Sequence, residues 1–501
     1  MDPSESAADP RNMPGTDIRH DGTEGESSLI RDFPKRYSWI AFFVIFIFSL
    51  IYAAAVNIQI YVFDSMYYWT KADPVFENGF NLLLFPNTFR GYLFPVLVGI
   101  FKMLFHGVLG WRIIAALMSG FTFAFSLPYV ISGRRINSYK EVLRVVLSFI
   151  FFMWIWGDFM QYPLSDFCAA AFLLAGVALL KSMITGRFSL KTWLTGTGCG
   201  VMLYAAYNTR AAFLYGALFS VIVFCIWNRK HLKYVLFVFL AVLAGGFLIA
   251  LPQCLINQQY AGAFSPKVYT EAYTGGDKNL QTVQVLLGIQ GDRRETYSGN
   301  DQSHYPEGAV IFNDPVGYEI LRRRNLSIDR FSVFTVFKLI REFPLDMMGI
   351  YIRNLISLMT PMYRQIYISN LYQDKGLWTS VSVVIWIIAG FGVLEQLRRK
   401  KSLSNSFWIF AICLPSFLQS FGNPEIRFFL PVYLLCYTYV FVTIDYKEAF
   451  VSLKRDWIRV VICFMVIFML WMTVFGNIVS NSQFRTFIIH DSLAGQGFVD
   501  K

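Results

Sequence analysis

Acids and arginines recur where apolar runs of this sequence end. Asp64 closes the first run, in QIYVFDSMYYW, and Tyr67, Tyr68 and Trp69 follow at once. Arg90 lies further along the same connection, Asp158 and Asp166 bracket GDFMQYPLSDF, Arg210 sits in YNTRAAF, and Glu425 and Arg427 share GNPEIRFFLP. A carboxylate beside a hydroxyl takes its proton as a new bond forms. A guanidinium grips phosphate oxygens through paired hydrogen bonds and offsets charge on a leaving group. Tyr67, Tyr68 and Trp69 could stack on a sugar ring, and equally suit the aromatic belt of a membrane interface.

The elements that carry these residues are membrane helices. The 501-residue chain is 55% hydrophobic, 18% aromatic and only 15% charged, with a mean hydropathy of +0.46. Soluble domains carry about a quarter charged residues, so composition alone selects the membrane class. A net charge of +11 would suggest nucleic acid in a soluble protein. Here the basic residues cluster between apolar runs, which is orientation by the positive-inside rule, and no nucleic-acid partner is expected. The seven cysteines show no CxxC or paired spacing and the five histidines are scattered, so no metal-ligand set is read from either.

An apolar core of ~30 Å asks for helices of about 20 residues. Candidate spans lie near 38–62, 112–132, 142–158, 163–183, 192–208, 211–227, 232–252, 377–397, 406–421, 428–445 and 457–478. The fold class expected is an all-α polytopic membrane protein with about eleven spans, interfacial helices on the outer face and one soluble outer loop. Residues 1–36 are polar and rich in Pro, Gly, Ser and Asp, and read as a disordered cytoplasmic tail. Residues 37–252 form an N-terminal membrane module with its first outer loop at 63–111. Residues 253–343 form the soluble outer loop, 344–478 a C-terminal membrane module, and 479–501 an outer tail.

Basic segments such as GRRINSYKEVLR, NRKHLK and LRRKKS occupy every second connection, which places the N-terminus in the cytoplasm. The run 91–110 is apolar yet holds Pro95, Lys102 and His106, and counting it as a span would invert that bias. It is therefore expected to lie in the outer interface as an amphipathic helix, and 344–361, with Asp346 and Arg353, likewise. Short connections and unpaired cysteines point to a bacterial inner membrane with the acid and arginine layer on the periplasmic side.

Ionisable residues on separate spans at one depth are cheapest to keep around a shared hydrated cavity. Asp64, then RGYLFPVLVGIFKMLFHGVLGWRIIAAL, then PLSDF, then PEIRFFLPVYLL gives an ordered layout over most of 38–445. In order, side and spacing it resembles the GT-C superfamily of membrane glycosyltransferases, the group of protein O-mannosyltransferases and lipid A aminoarabinose transferases. The two adjacent acids of many relatives are missing, since Ser65 follows Asp64 and the next acids are Asp73 and Glu77. A divalent metal therefore stays open as a cofactor, without a donor set to hold it.

The resemblance implies transfer of a sugar from a polyprenyl-phosphate donor to a hydroxyl of a glycan, lipid or protein. Asp64 is then the catalytic base, its burial expected to raise its pKa toward working pH. Arg427, Arg210 and Arg90 would hold the donor phosphate. Asp166, Asp158, Glu425, Tyr67, Tyr68 and Trp69 would contact sugar or acceptor. Two other readings fit the same inventory: a polymerase or ligase of lipid-linked glycans, marked by a diphosphate donor and a strong arginine requirement, and a transporter or flippase of lipid-linked sugars. RRRN, 322–325, is read either as a site for an acidic acceptor or as a solvated face.

Overall fold

The computed structural model describes residues 36–77, 79–86, 90–184, 187–269, 280–298, 308–327, 330–362, 365–369, 376–398, 404–444, 446–480, 485–489 and 499–500. The expected tail at 1–36 lies outside the described residues except for Arg36, which opens the first helix. The protein is mostly helical, 77%. Five helical stretches are long and apolar enough to cross a membrane: Arg36–Val56, Val108–Ser132, Ser165–Ser182, Leu232–Ala261 and Ile426–Thr443. Each falls on an expected span.

In chain order the N-terminal half is α1 (Arg36–Val56), α2 (Phe63–Thr70), α3 (Asp73–Glu77), α4 (Leu93–Leu104), α5 (Val108–Phe121), α6 (Leu127–Ser132), α7 (Tyr139–Trp156), α8 (Ser165–Ser182), α9 (Leu190–Thr209), α10 (Leu214–Trp227) and α11 (Leu232–Ala261). Local chemistry sets the ends. Ser138 caps α7 by accepting from the Glu141 amide, and Ser189 caps α9 by accepting from Thr192. Gly133 ends α6 in the left-handed region at φ 71°, open to glycine without strain.

Burial sorts these helices into inner and outer. The spans at Ser165–Ser182 and Ile426–Thr443 are 72% and 78% buried, whereas Arg36–Val56 and Leu232–Ala261 are 28% and 33% buried. The exposed faces of the latter two, with Phe43, Ile47 and Ile51 on one and Leu243, Phe247 and Leu248 on the other, suit lipid. Small residues let α9 and α11 touch backbone to backbone: a Cβ at Gly200 would overlap the Val242 carbonyl, and one at Gly245 the Thr197 carbonyl.

The region expected as one amphipathic helix over 91–110 is instead broken. α4 stops at Leu104, His106 and Gly107 take φ of 51° and 80°, and the chain restarts at Val108 as part of a long span. Two left-handed residues in succession cannot continue a helix.

The C-terminal half adds α12 (Leu280–Gln290), α13 (Pro315–Arg323), α14 (Val333–Glu342), α15 (Pro344–Leu358), α16 (Gly376–Arg398), α17 (Ser404–Gln419), α18 (Leu430–Thr438) and α19 (Tyr446–Ser480). It also contains a sheet that the helical reading did not anticipate. Strands β1 (Gly291–Tyr297), β2 (Gly308–Asn313), β3 (Tyr367–Ile368), β4 (Arg485–Ile489) and β5 (Val499–Asp500) stand in the order β3-β1-β2-β4-β5. β1 pairs antiparallel with β2 and parallel with β3, and the segment after α19 adds β4 antiparallel to β2 and β5 antiparallel to β4. The expected soluble loop therefore starts later than 253, because α11 runs to Ala261, and it shares its sheet with the C-terminal tail.

Candidate functional site

Asp64 lies in the first turn of α2, directly after Phe63, whose φ of 49° is left-handed. For a bulky residue that conformation costs about 1–3 kcal/mol and persists only where surroundings enforce it. Here they do. The Ser65 side chain bonds back to the Val62 amide and carbonyl, and the Ser65 N–H donates 3.1 Å to the hydroxyl of Tyr367 on β3. Ile366, just before β3, donates its amide 3.2 Å to Asp158, so Asp158 fixes the strand that supports Asp64.

The Asp64 carboxylate bridges two guanidiniums from distant parts of the chain. Arg90 Nη2 is 2.8 Å from Oδ1, and Arg427 Nη2 is 2.7 Å from Oδ2. Arg427 also faces Glu425 Oε1 at 2.5 Å. Arg90 donates as well to the hydroxyl of Tyr68, which lies 2.8 Å from Ser165 Oγ at the head of α8. The next residue, Asp166, pairs with Arg210, whose guanidinium sits 4.0 Å over the Phe428 ring beside Arg427. Asp64, Arg90, Tyr68, Ser165, Asp166, Arg210, Phe428 and Arg427 thus close a ring of contacts drawn from α2, the segment before α4, α8, the end of α9 and the turn before α18.

Each arginine has a positioning device. Gly91, after Arg90, presses on Asn208 so closely that a Cβ would overlap the Asn208 carbonyl. The Leu93 amide donates 2.9 Å to Asn208 Oδ1, and Asn208 in turn donates 2.9 Å to Gln253 of α11. Arg210 is the extended residue that ends α9, two positions after Asn208. Arg427 lies in the short 3-10 turn Ile426–Phe429 that starts a largely buried span.

The electrostatics correct one expectation. Desolvation alone would raise the Asp64 carboxyl, but Arg90 and Arg427, with Arg294 beyond them, hold it well below the usual carboxylate range. Asp64 is ionised and doubly paired, not poised near working pH. Burial of the Arg90 guanidinium is likewise outweighed by Asp64, Tyr68 and Tyr67, and its pKa is raised.

The three aromatics after Asp64 part company. Tyr68 is 2% exposed and belongs to the hydrogen-bonded ring, so its face is closed to a sugar. Trp69 turns to Lys102, 4.9 Å away, which pairs with Asp73. Tyr67 stays half-buried with Arg90 5.5 Å over its ring.

Sequence reading missed a strand. β1 carries Arg293, Arg294 and Glu295 to the site: the Arg294 amide donates 3.2 Å to the Pro424 carbonyl, and the two backbones form a short parallel β-bridge at Arg294 and Glu425. The Glu295 carboxyl is pushed up to about 8 by burial, against Arg293, with Glu425 adding and Arg427 opposing. Four charges in a row, DRRE, look like a solvated loop; the apolar run AVIF of β2 was the signal that a buried strand needed a partner. RRRN, by contrast, is a solvated face: Arg322 and Arg323 are exposed and pair with Glu319, and Arg324 with Glu342.

Next to this cluster an apolar groove of about 180 Å³ runs between α16 and α19, lined by Met359, Val383, Trp386, Ile387, Phe391 and Trp471. Its wall reaches the site, since Trp386 packs on Phe429 two residues beyond Arg427. Among the described residues no group of three or more His, Cys, Asp or Glu is placed to hold a metal ion. No family model, no curated protein and no solved structure matches this chain.

Proposed function

We propose that this protein is a GT-C-like membrane glycosyltransferase that moves a sugar from a polyprenyl-phosphate donor to a hydroxyl of a glycan, lipid or protein. The observation that carries the reading is the Asp64 carboxylate spanning Arg90 and Arg427 beside an apolar groove. A lipid phosphate needs that pairing of cationic head site and greasy channel.

In the reaction the bond from anomeric carbon to phosphate oxygen breaks and the polyprenyl phosphate leaves with its electron pair. The acceptor oxygen bonds to that carbon, and its proton passes to Asp64. Arg90 and Arg427 hold the phosphate as charge builds on it. While they hold Asp64 instead, it is a weak base; a bound phosphate competes for both guanidiniums and frees it. Asp166 and Arg210 line the same ring and are assigned to the sugar and phosphate.

The finer topology goes with this reading: about eleven spans, the N-terminus in the cytoplasm, and the site on the periplasmic side of a bacterial inner membrane. The basic connections support it. So does the sheet, because it joins the loop before α15 to the segment after α19, two regions that this topology puts on one side.

The test offers purified protein in detergent a panel of polyprenyl-phosphate sugars and measures release of polyprenyl phosphate. The expected result is release from one donor, absent in Asp64→Asn. No binding and no release with any lipid phosphate would remove the donor assignment and favour a transporter.

A further inference from the structure

We infer that α14 docks on the bilayer surface, with its outward apolar face among the lipid chains and its basic residues at the lipid phosphates. The inference does not depend on the transferase reading, and it takes α14 out of the soluble loop expected over 253–343.

Two apolar faces run along α14, and the protein covers one of them. Leu339 is buried in a cluster with Phe331, Ile289, Ile320 and Ile350. Val333, Phe337 and Ile340 recur at i, i+4 and i+7, with Phe334 beside them, and all four are exposed. Phe334 is 78% and Phe337 65% exposed, so neither ring is even half-packed. Contiguous apolar surface of this kind marks an interaction site, whereas single exposed side chains do not.

The neighbouring helix says what covers the face. Phe343 alone separates α14 from α15, which carries a like stripe of exposed Leu345, Met348 and Ile352 at i, i+3 and i+7. On its other side α15 is buried, first by Met347 and Ile350 in the cluster that holds Leu339, then by Leu358 in the large cluster of the membrane spans. The Tyr433 hydroxyl donates 2.9 Å to the Leu358 carbonyl and the Trp386 indole 2.9 Å to the Met359 carbonyl, so α15 ends against the span Ile426–Thr443 and α16. The exposed stripe of α15 is thus continuous with lipid-embedded structure at one end and with α14 at the other.

Charge selects lipid over a protein partner. Lys338 and Arg341 follow Phe334 and Phe337 by four residues, which sets each one turn along on the same side, and both are exposed. Their stems can lie along apolar surface while the charged ends reach phosphate oxygens. Lysine is depleted from protein interfaces, so the pattern suits an amphipathic helix lying in the membrane–water boundary. The acid at the end of α14, Glu342, is engaged with Arg324. Because Ile289 of the buried cluster lies two residues before β1, docking of α14 also sets the height of β1 over the bilayer.

The experiment reads the surroundings of a nitroxide spin label on the full-length protein in phospholipid nanodiscs, with wild type labelled in parallel to subtract native cysteines. The labels are placed at Phe334→Cys, Phe337→Cys and Leu345→Cys, with Arg323→Cys on the solvated face of α13 as aqueous reference. A label about 5–10 Å below the headgroups meets dissolved oxygen and is shielded from a nickel chelate, so the oxygen-to-nickel relaxation ratio of the first three should exceed the reference by about fivefold or more. All four native side chains are exposed, so their loss leaves the core intact, and the three test labels give independent readings. A ratio for Phe334→Cys and Phe337→Cys equal to the reference means that water covers the face and overturns the inference. Shielding of both labels from oxygen and nickel alike means that protein covers it, a second copy or another chain, and overturns it as well.

Discussion

Arg427→Ala should be the most destabilising single change in the site, and the structure says why. Arg427 is 9% exposed and serves two carboxylates, Asp64 at 2.7 Å and Glu425 at 2.5 Å. Without it Asp64 keeps Arg90, but Glu425, 5% exposed, has no other cation at ion-pair distance among the described residues. A buried charge stripped of its partner costs about 3–5 kcal/mol. Asp64→Asn is milder, about 1–3 kcal/mol, because Arg427 retains Glu425 and Arg90 retains the Tyr68 hydroxyl. Unfolding can be followed with a thiol-reactive dye, since Cys168, Cys199, Cys254, Cys413 and Cys436 are buried and free. The expected order of melting midpoints is wild type, then Asp64→Asn, then Arg427→Ala. Adding Glu425→Gln to Arg427→Ala should recover much of the loss, a coupling between contacting residues. Asp64→Asn melting as low as Arg427→Ala, or no recovery in the double variant, would refute the argument that Glu425 is the stranded charge.

Two further outcomes follow from the same geometry. Gly91→Ala forces a Cβ into the Asn208 carbonyl and shifts Arg90; donor turnover should fall about a hundredfold, as for an ~1 Å misplacement of a catalytic group, while Gly246→Ala, with ordinary space around it, should change little. Glu295 has a folded pKa of about 8 against 4.5 unfolded, so its contribution to stability is fully present below about 4.5 and is lost as pH rises through 8. Midpoints measured from pH 5 to 9 should fall across that window in wild type and flatten in Glu295→Gln; parallel curves would show that Glu295 does not titrate there.

The helical frame was legible because length and apolarity report the bilayer directly, and the five helices long and apolar enough to cross a membrane fall where hydropathy put them. Convergence of Asp64, Arg90, Asp166, Arg210, Glu425 and Arg427 was legible for a related reason: charges at helix ends of one depth have few places to go. What the sequence concealed was pairing. Arg293–Glu295 read as a polar loop because a strand that is buried by two partners needs no alternation of its own, and its partners lie at 308–313 and 424–425. The ionisation state of Asp64 was hidden for the same cause. Burial is visible in a hydropathy trace, whereas two guanidiniums arriving from 26 and 363 residues away are not.

The most direct test of the account separates donor binding from chemistry in Asp64→Asn, by measuring lipid-donor affinity and single-turnover sugar release on the same protein. If Asp64 competes with the donor phosphate for Arg90 and Arg427 and then serves as base, the variant binds donor at least as tightly as wild type and releases sugar about 10²–10⁴-fold more slowly. Affinity and release lost together would contradict the account and make Asp64 a pin that holds the two arginines in place.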